Sequence, residues 1–492
     1  MIGMSDGFPD TPNFTGFNEP LRVEADVRDL EVDGAMPEGL HGTYYRCGPD
    51  FRFPPKFEDD INHNGDGVVS MFRFENGHVD FKSRYVRTEK FLLEQAARKA
   101  LFGKYRNPFT DDPSVAGKDR TLANTNVVLH GGRLLAMKED GLPYQLDPDS
   151  LSTVGRCDFD GRLRSETFTA HPKLDPVTGE MIAFGYEAKG LATRDMSFQV
   201  IGKDGTLVRE EFFEAPYVSF QHDFAVTNDH VIFLLMPTTT SIERMKAGKT
   251  HWVFETGIPI EVGIMPRDGS VKDMRWFKAP GRGVGHVLNA FSDGERVYLD
   301  TFVSDRNQFP FVPNGDGSPF DRKAGTPRLT RWTFDLASNS DGFEEETFFP
   351  DFMEMPRTDD RYQMNPHRYG FCAIMDFSRP TVTAGTLGPG WNTLCKVDMA
   401  TKTMERWWVG ENAVIGEPQF VPRSPDAPEA DGWVFPVITR LEGAALKTEL
   451  AVIDSLNVAA GPIATARMPI RLRGAIHGNW TPAEALAAVR AA

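Results

Sequence analysis

Short apolar runs recur along the chain with polar turn residues between them. Arg133–Met137 (RLLAM), Met181–Tyr186 (MIAFGY), His230–Met236 (HVIFLLM), Arg296–Val303 (RVYLDTFV), Gly432–Ile438 (GWVFPVI) and Leu450–Ile453 (LAVI) are rich in Val, Ile, Leu, Phe and Tyr and read as β-strands. D-P-D-S-L, D-P-V-T-G-E, K-D-G-T, R-D-G-S and S-D-G-E read as hairpin-type turns, because Asp and Gly tolerate the backbone angles that tight turns need. One stretch carries the helical period, Glu89 to about Phe102 (EKFLLEQAARKALF), with Thr88 placed as its N-cap. A second short helix is expected over Pro482–Arg490.

Few helices interrupt the strands, and they do not alternate with them, which argues against a parallel α/β sheet. The expectation is an all-β fold. Blades of four strands take roughly 45–65 residues, so 492 residues suit a seven-bladed β-propeller, with a few helices and loops as a cap over its axis. A pair of β-sandwich domains is the alternative. No WD or kelch signature is visible and no composition break marks a linker, so residues 1–492 are expected to form a single propeller domain with an inserted cap.

Composition narrows the function. Hydrophobic residues make up 40% and charged residues 25%, enough for a packed core, and 45 glycines with 35 prolines fit a turn-rich fold. The net charge of −16 repels phosphate backbones and excludes a nucleic-acid partner. Cys47, Cys157, Cys372 and Cys395 are far apart and form no C-x-x-C pair, which excludes a zinc ribbon and suits a reducing cytoplasm. The N-terminal sequence has no signal-peptide pattern, and no run of ~18 apolar residues predicts a transmembrane helix. A cytoplasmic protein without stable membrane insertion is therefore expected.

Four of the eleven histidines stand beside predicted strands: His171 in T-A-H-P-K, His222 in S-F-Q-H-D-F, His286 in G-H-V-L-N-A-F and His477 in G-A-I-H-G-N-W. Their spacings of 51, 64 and 191 residues equal about one, one and three blades, so all four could point at one axis. Any one of them alone is more often an ordinary hydrogen-bonded histidine. Four neutral imidazoles would suit iron, copper, nickel or zinc. A dication so held keeps its charge and needs anions behind the rings. Glu139 (A-M-K-E-D-G), Glu354 (F-M-E-M-P-R) and Glu417 (G-E-P-Q-F-V-P-R) sit in unusually apolar surroundings for glutamates.

From about Leu21 to Trp480 the chain resembles the carotenoid cleavage oxygenases, on the branch of the lignostilbene dioxygenases and isoeugenol monooxygenase. The motifs are L-H-G-T-Y-Y-R-C-G-P (Leu40–Pro49), N-G-D-G (Asn64–Gly67), K-E-D-G-L-P-Y (Lys138–Tyr144), A-H-P-K-L-D-P-V-T-G-E, H-V-L-N-A-F, the two later glutamate segments and H-G-N-W. The resemblance implies a seven-bladed propeller with Fe(II) on its axis. It implies His171, His222, His286 and His477 as ligands, with Glu139, Glu354 and Glu417 behind three of them. Iron so held keeps two positions open, and the implied reaction adds O₂ across one C=C bond to release two aldehydes. No flavin, haem or nicotinamide motif appears, so no external reductant is evident.

Substrate choice turns on smaller features. The helical stretch is interrupted by Glu94, Arg98 and Lys99, and reads as a packing helix or lid rather than a membrane-docking patch. The resemblance implies Tyr105 and Lys138 as holders of a phenolate, which would donate electrons into a conjugated alkene. Lys138 and Glu139 are neighbours, and both can serve one site only if the strand ends or bulges there. His63 stands where relatives carry an aromatic such as Phe, and would stack on or hydrogen-bond the substrate ring. Phe309, Phe311 and Phe320 are candidates to line the cleft. The expected partners are O₂ and a small phenolic alkene, with a homodimer left open. A 4-hydroxystilbene is the leading substrate, followed by a phenylpropenoid such as isoeugenol, then an apocarotenoid. A propeller acting only as a binding module is the non-enzymatic alternative.

Overall fold

The structure, a computed structural model, describes residues 7–384 and 388–491. Residues 1–6, on which the reading of the N-terminus partly rests, lie outside them. The chain divides into two compact units, one of residues 1–160, 375–395 and 405–492, the other of residues 161–374 and 396–404.

The first unit holds a five-stranded sheet ordered Ala25–Val27, His78–Tyr85, Asp66–Glu75, Gly42–Asp50, His477–Pro482. Its first and last segments in sequence thus share one sheet, and Cys47 pairs with His477. A four-stranded meander follows, Asn126–His130, Arg133–Met137, Tyr144–Leu146, Thr153–Arg156. The third sheet has seven strands. In it Gly432–Phe435 and Val437–Glu442 both pair with the long strand Ala445–Asp454, and Pro436 stands between them. Proline has no N–H for the ladder, so what would be one strand is broken in two, and each half takes its own outer partner. Tyr44, Phe72, Phe74, Phe81 and Phe435 pack between these layers, with Phe74 stacked on Phe435 at 5.2 Å.

The second unit holds three four-stranded sheets that begin at Lys173–Leu174, Phe224–Val226 and Gly283–Asp293. Burial is graded within them. Met181–Tyr186 is buried at every position, whereas Glu344–Thr347, last in its sheet, is exposed at every position. Of the apolar runs read in the sequence, Met181–Tyr186 and most of His230–Met236 fall on buried strands of these sheets. A further four-stranded sheet orders Met353–Arg357, Tyr369–Ile374, Thr393–Asp398 and Thr403–Trp408.

The fold is an all-β propeller with few helices, as expected, but it shows six blades of four or five strands rather than the seven expected. Five sheets have four strands each, one has five and is completed by the C-terminal strand His477–Pro482, and the other large sheet is the branched seven-stranded one. The expected helix from Glu89 stops at Ala97 rather than Phe102, with Thr88 capping Phe91 N–H as anticipated. Arg98 then turns left-handed, and the Glu94 carboxylate takes the N–H groups of Leu101 and Phe102. The last helix covers Ala483–Ala491.

Candidate functional site

Three of the four histidines enter at the first strand of successive sheets in the second unit. His171 lies two residues before Lys173–Leu174 and His222 two residues before Phe224–Val226, while His286 lies inside Gly283–Asp293. The pairing of that strand slips between Val284 and Val287, which turns His286 out of regular register. The rings converge, with centroids 4.6 Å apart for His171 and His222, 5.1 Å for His171 and His286, and 4.8 Å for His222 and His286.

Glu354 fixes one of these rings. It accepts from His286 Nδ1 at 2.7 Å and from His286 N–H at 2.9 Å, and also from Met355 N–H and Gln308 Nε2. Burial opposes its ionisation, but His286 and the backbone donors outweigh that and hold its carboxyl below the usual carboxylate range. Gly285 makes room for it, because a Cβ there would collide with Glu354 Oε1 and Gln308 Nε2. Glu417 repeats the pattern in the first unit, accepting from His477 Nδ1 at 2.8 Å and from Gly478 N–H at 3.0 Å. In both pairs a carboxylate on Nδ1–H leaves the Nε2 lone pair for a metal.

His171, His222, His286 and His477 are clustered, one ligand atom from each within 4.8 Å of the others, as a possible metal site. Nε2 of His222 and of His286 are 3.0 Å apart. That is close enough for both to bind one metal ion, so the donor set fits a divalent ion.

Asp223, which sequence reasoning passed over, ties three of these segments together. It accepts from Lys173 Nζ at 2.7 Å, from Phe224 N–H at 2.8 Å and from Val287 N–H at 2.8 Å. It is buried, and its only sequence signal is its place directly after His222. Phe220 stacks on His222 at 5.6 Å, and Phe309 meets His222 edge-on at 6.0 Å with Phe311 behind it. Phe320 lies beside Gly325.

The other expected residues gather in the first unit. The strand Arg133–Met137 ends one residue before Lys138, so Lys138 and Glu139 escape strand alternation, and both are buried. Lys138 Nζ lies 4.9 Å from the centroid of the Tyr105 ring. Burial disfavours the Lys138 ammonium, but Tyr105, Asp140 and Glu139 outweigh it and raise its pKa. Burial likewise raises the pKa of Tyr105, against the pull of Lys138 and Arg106. Glu139 lies 3.9 Å from the Arg106 guanidinium. His63 is half-buried, and its carbonyl accepts from Asn124 Nδ2.

No helix among the described residues is long and apolar enough to cross a membrane. Residues 18–482 match the family described as retinal pigment epithelial membrane protein. The chain is 45% identical to lignostilbene-alpha,beta-dioxygenase isozyme III of Sphingomonas paucimobilis, over 97% of this chain and 99% of that one. It is 45% identical to isoeugenol monooxygenase of Pseudomonas nitroreducens, over 96% and 98%. The crystal structure of Pseudomonas brassicacearum lignostilbene dioxygenase superposes with a TM-score of 0.93 at 43% identity, covering 97% of this chain and all of that one. The chain therefore belongs to the retinal pigment epithelial membrane protein family, that of the carotenoid cleavage oxygenases.

Proposed function

We propose that this protein is an Fe(II)-dependent dioxygenase that cleaves the central C=C bond of a 4-hydroxystilbene, leaving one oxygen atom of O₂ in each of two aromatic aldehydes. The observation that carries this reading is the cluster of four imidazoles, two of them braced by a carboxylate on Nδ1–H. Similarity to a lignostilbene dioxygenase over nearly the whole chain supports the choice of reaction. His171, His222, His286 and His477 would hold the ion, with Glu139 serving one ring as Glu354 and Glu417 serve two others. Iron so bound would supply activation of O₂, which reacts poorly with closed-shell alkenes by itself.

The remaining residues bind and orient. Lys138 and Tyr105 would hold the phenolic oxygen of the substrate, the ammonium by charge and the phenol by donating a hydrogen bond. A phenolate pushes electron density into the conjugated alkene and activates it. His63 would meet the ring held there, and Phe220 and Phe309 would keep water from the reacting bond. The four buried free thiols suit a cytoplasmic setting.

The equal identity to an isoeugenol monooxygenase favours one second reading, cleavage of the side-chain alkene of a phenylpropenoid. The test is to incubate iron-loaded protein in air with resveratrol, isoeugenol and an apocarotenal and to identify the aldehydes by mass spectrometry. Two hydroxybenzaldehydes from resveratrol are expected. Vanillin from isoeugenol, with resveratrol left intact, would favour the second reading.

A further inference from the structure

A phenol that binds as phenolate must give its proton to something. Lys138, Tyr105, Glu139, Arg106, Asp140 and Cys47 are the titratable groups that act on one another around this place. Lys138 and Tyr105 already hold their protons, since both pKa values are raised. Burial pushes the Cys47 thiol up as well. Arg106 is a cation, and Glu139 lies against it. Asp140 is different. Its Oδ1 is buried yet accepts no hydrogen bond among the described residues, and its charge acts on both Lys138 and Tyr105. Buried polar atoms in this condition call for an explanation.

The backbone is shaped to bring Asp140 there. The strand ends at Met137, and Lys138, Glu139 and Asp140 follow in a turn. Gly141 then runs so close to Thr121 that a Cβ would strike its Oγ1. That hydroxyl is buried and also lacks a partner among the described residues. Asp140, two residues after Lys138 and held beside this close approach, thus brings an unsatisfied carboxylate oxygen to the group of charges around Lys138 and Tyr105.

We propose that Asp140 is the general base that removes the phenol proton when substrate binds. This rests on the phenolic-alkene reading above. The phenol O–H bond breaks and a new O–H bond forms on Asp140 Oδ1, through one water at most. The electron pair stays on the phenol oxygen as phenolate beside Lys138, and nothing is oxidised or reduced in the step. A carboxylate is a weak base towards a phenol in water, and the Lys138 ammonium supplies the missing driving force by stabilising the phenolate. The proton returns to the phenolate oxygen of the aldehyde as that product leaves.

The test is Asp140→Asn, which keeps the shape and removes the charge. Under anaerobic conditions, iron-loaded wild-type protein at pH 7 should show the red-shifted absorption of a bound 4-hydroxystilbene phenolate, and Asp140→Asn the spectrum of the neutral phenol. In air, kcat/KM of the variant should fall by about 100-fold at pH 7 with iron content unchanged. The loss should shrink for a ring-fluorinated, more acidic phenol and vanish as pH approaches the phenol's own ionisation near about 10. Asp140→Glu should restore the phenolate spectrum. A phenolate spectrum in Asp140→Asn, or equal loss for both substrates at every pH, would overturn the assignment. Should Asp140→Asn not fold, Asp140→Ser decides by the same anaerobic spectrum. The neutral phenol supports Asp140, and a phenolate overturns it. Failure of wild-type protein to cleave any 4-hydroxystilbene would instead refute the substrate reading.

Discussion

Glu354 holds His286 at two points, taking the ring Nδ1–H at 2.7 Å and the backbone N–H of the same residue at 2.9 Å. One carboxylate thereby fixes the tautomer of the ring and the strand irregularity from which it projects. Glu354→Gln keeps the size but removes the charge that a dication needs behind its ligands. Metal affinity, measured by competition with a chelator, should fall by about 10–100-fold, with little change in melting temperature.

Asp223 acts on segments rather than on a ring. It joins Lys173, two residues after His171, to Val287, next to His286. Asp223→Asn gives up the ion pair with Lys173 and, because the two backbone N–H groups use different carboxylate oxygens, leaves an acceptor for only one of them. Metal release should accelerate by about tenfold, and the d–d spectrum of the cobalt-loaded protein should broaden as ligand geometries multiply. An unchanged release rate and spectrum would assign Asp223 to folding alone.

Much of this arrangement was legible in the chain, and the remainder depends on distant contacts. Arg133–Met137 and Met181–Tyr186 match observed strands end to end, because each is an apolar run closed by polar or turn residues. The helix from Glu89 was read too long because the carboxylate that ends it, Glu94, looks like any helical Glu until Leu101 and Phe102 fold back onto it. Seven blades were expected from chain length and resemblance, neither of which shows that Pro436 splits the apolar run Gly432–Ile438 between two strands. His286 and Glu354 are 68 residues apart and His477 and Glu417 are 60 apart, so motif resemblance rather than local pattern brought each pair forward. Asp223 passed unnoticed because one of its partners, Val287, is 64 residues away.

Lys138→Met removes the ammonium 4.9 Å from the Tyr105 ring centroid and leaves an apolar chain of similar length. Turnover of 4-hydroxystilbenes should drop by about 100-fold or more, while iron content stays within error of wild type. Parallel loss of iron and turnover would argue against a role at the substrate.

Asp60 carries a pH signature. Burial pushes its carboxyl up to about 6, against Asn64, the N–H groups of Ile61 and Tyr105, and the charge of Lys90. The folded protein therefore binds more protons than the unfolded chain between about pH 4 and 6, and stability from this group declines as pH rises through that window. Asp60→Asn should abolish that decline, a difference of about 3 kcal/mol between wild type and variant across the window. Urea titrations at pH 4, 5, 6 and 7 measure it.

The central claim is that His171, His222, His286 and His477 together hold the metal that alkene cleavage requires. The direct measurement follows iron content and aldehyde formation from a 4-hydroxystilbene in the same samples, for wild-type protein as loaded, stripped by chelator and reloaded with Fe(II), and for His286→Ala and His477→Ala. Iron and activity should be lost together on stripping, return together on reloading, and be absent together from both variants. Aldehyde formation at the wild-type rate by stripped protein, or full iron content and activity in either variant, would contradict the account.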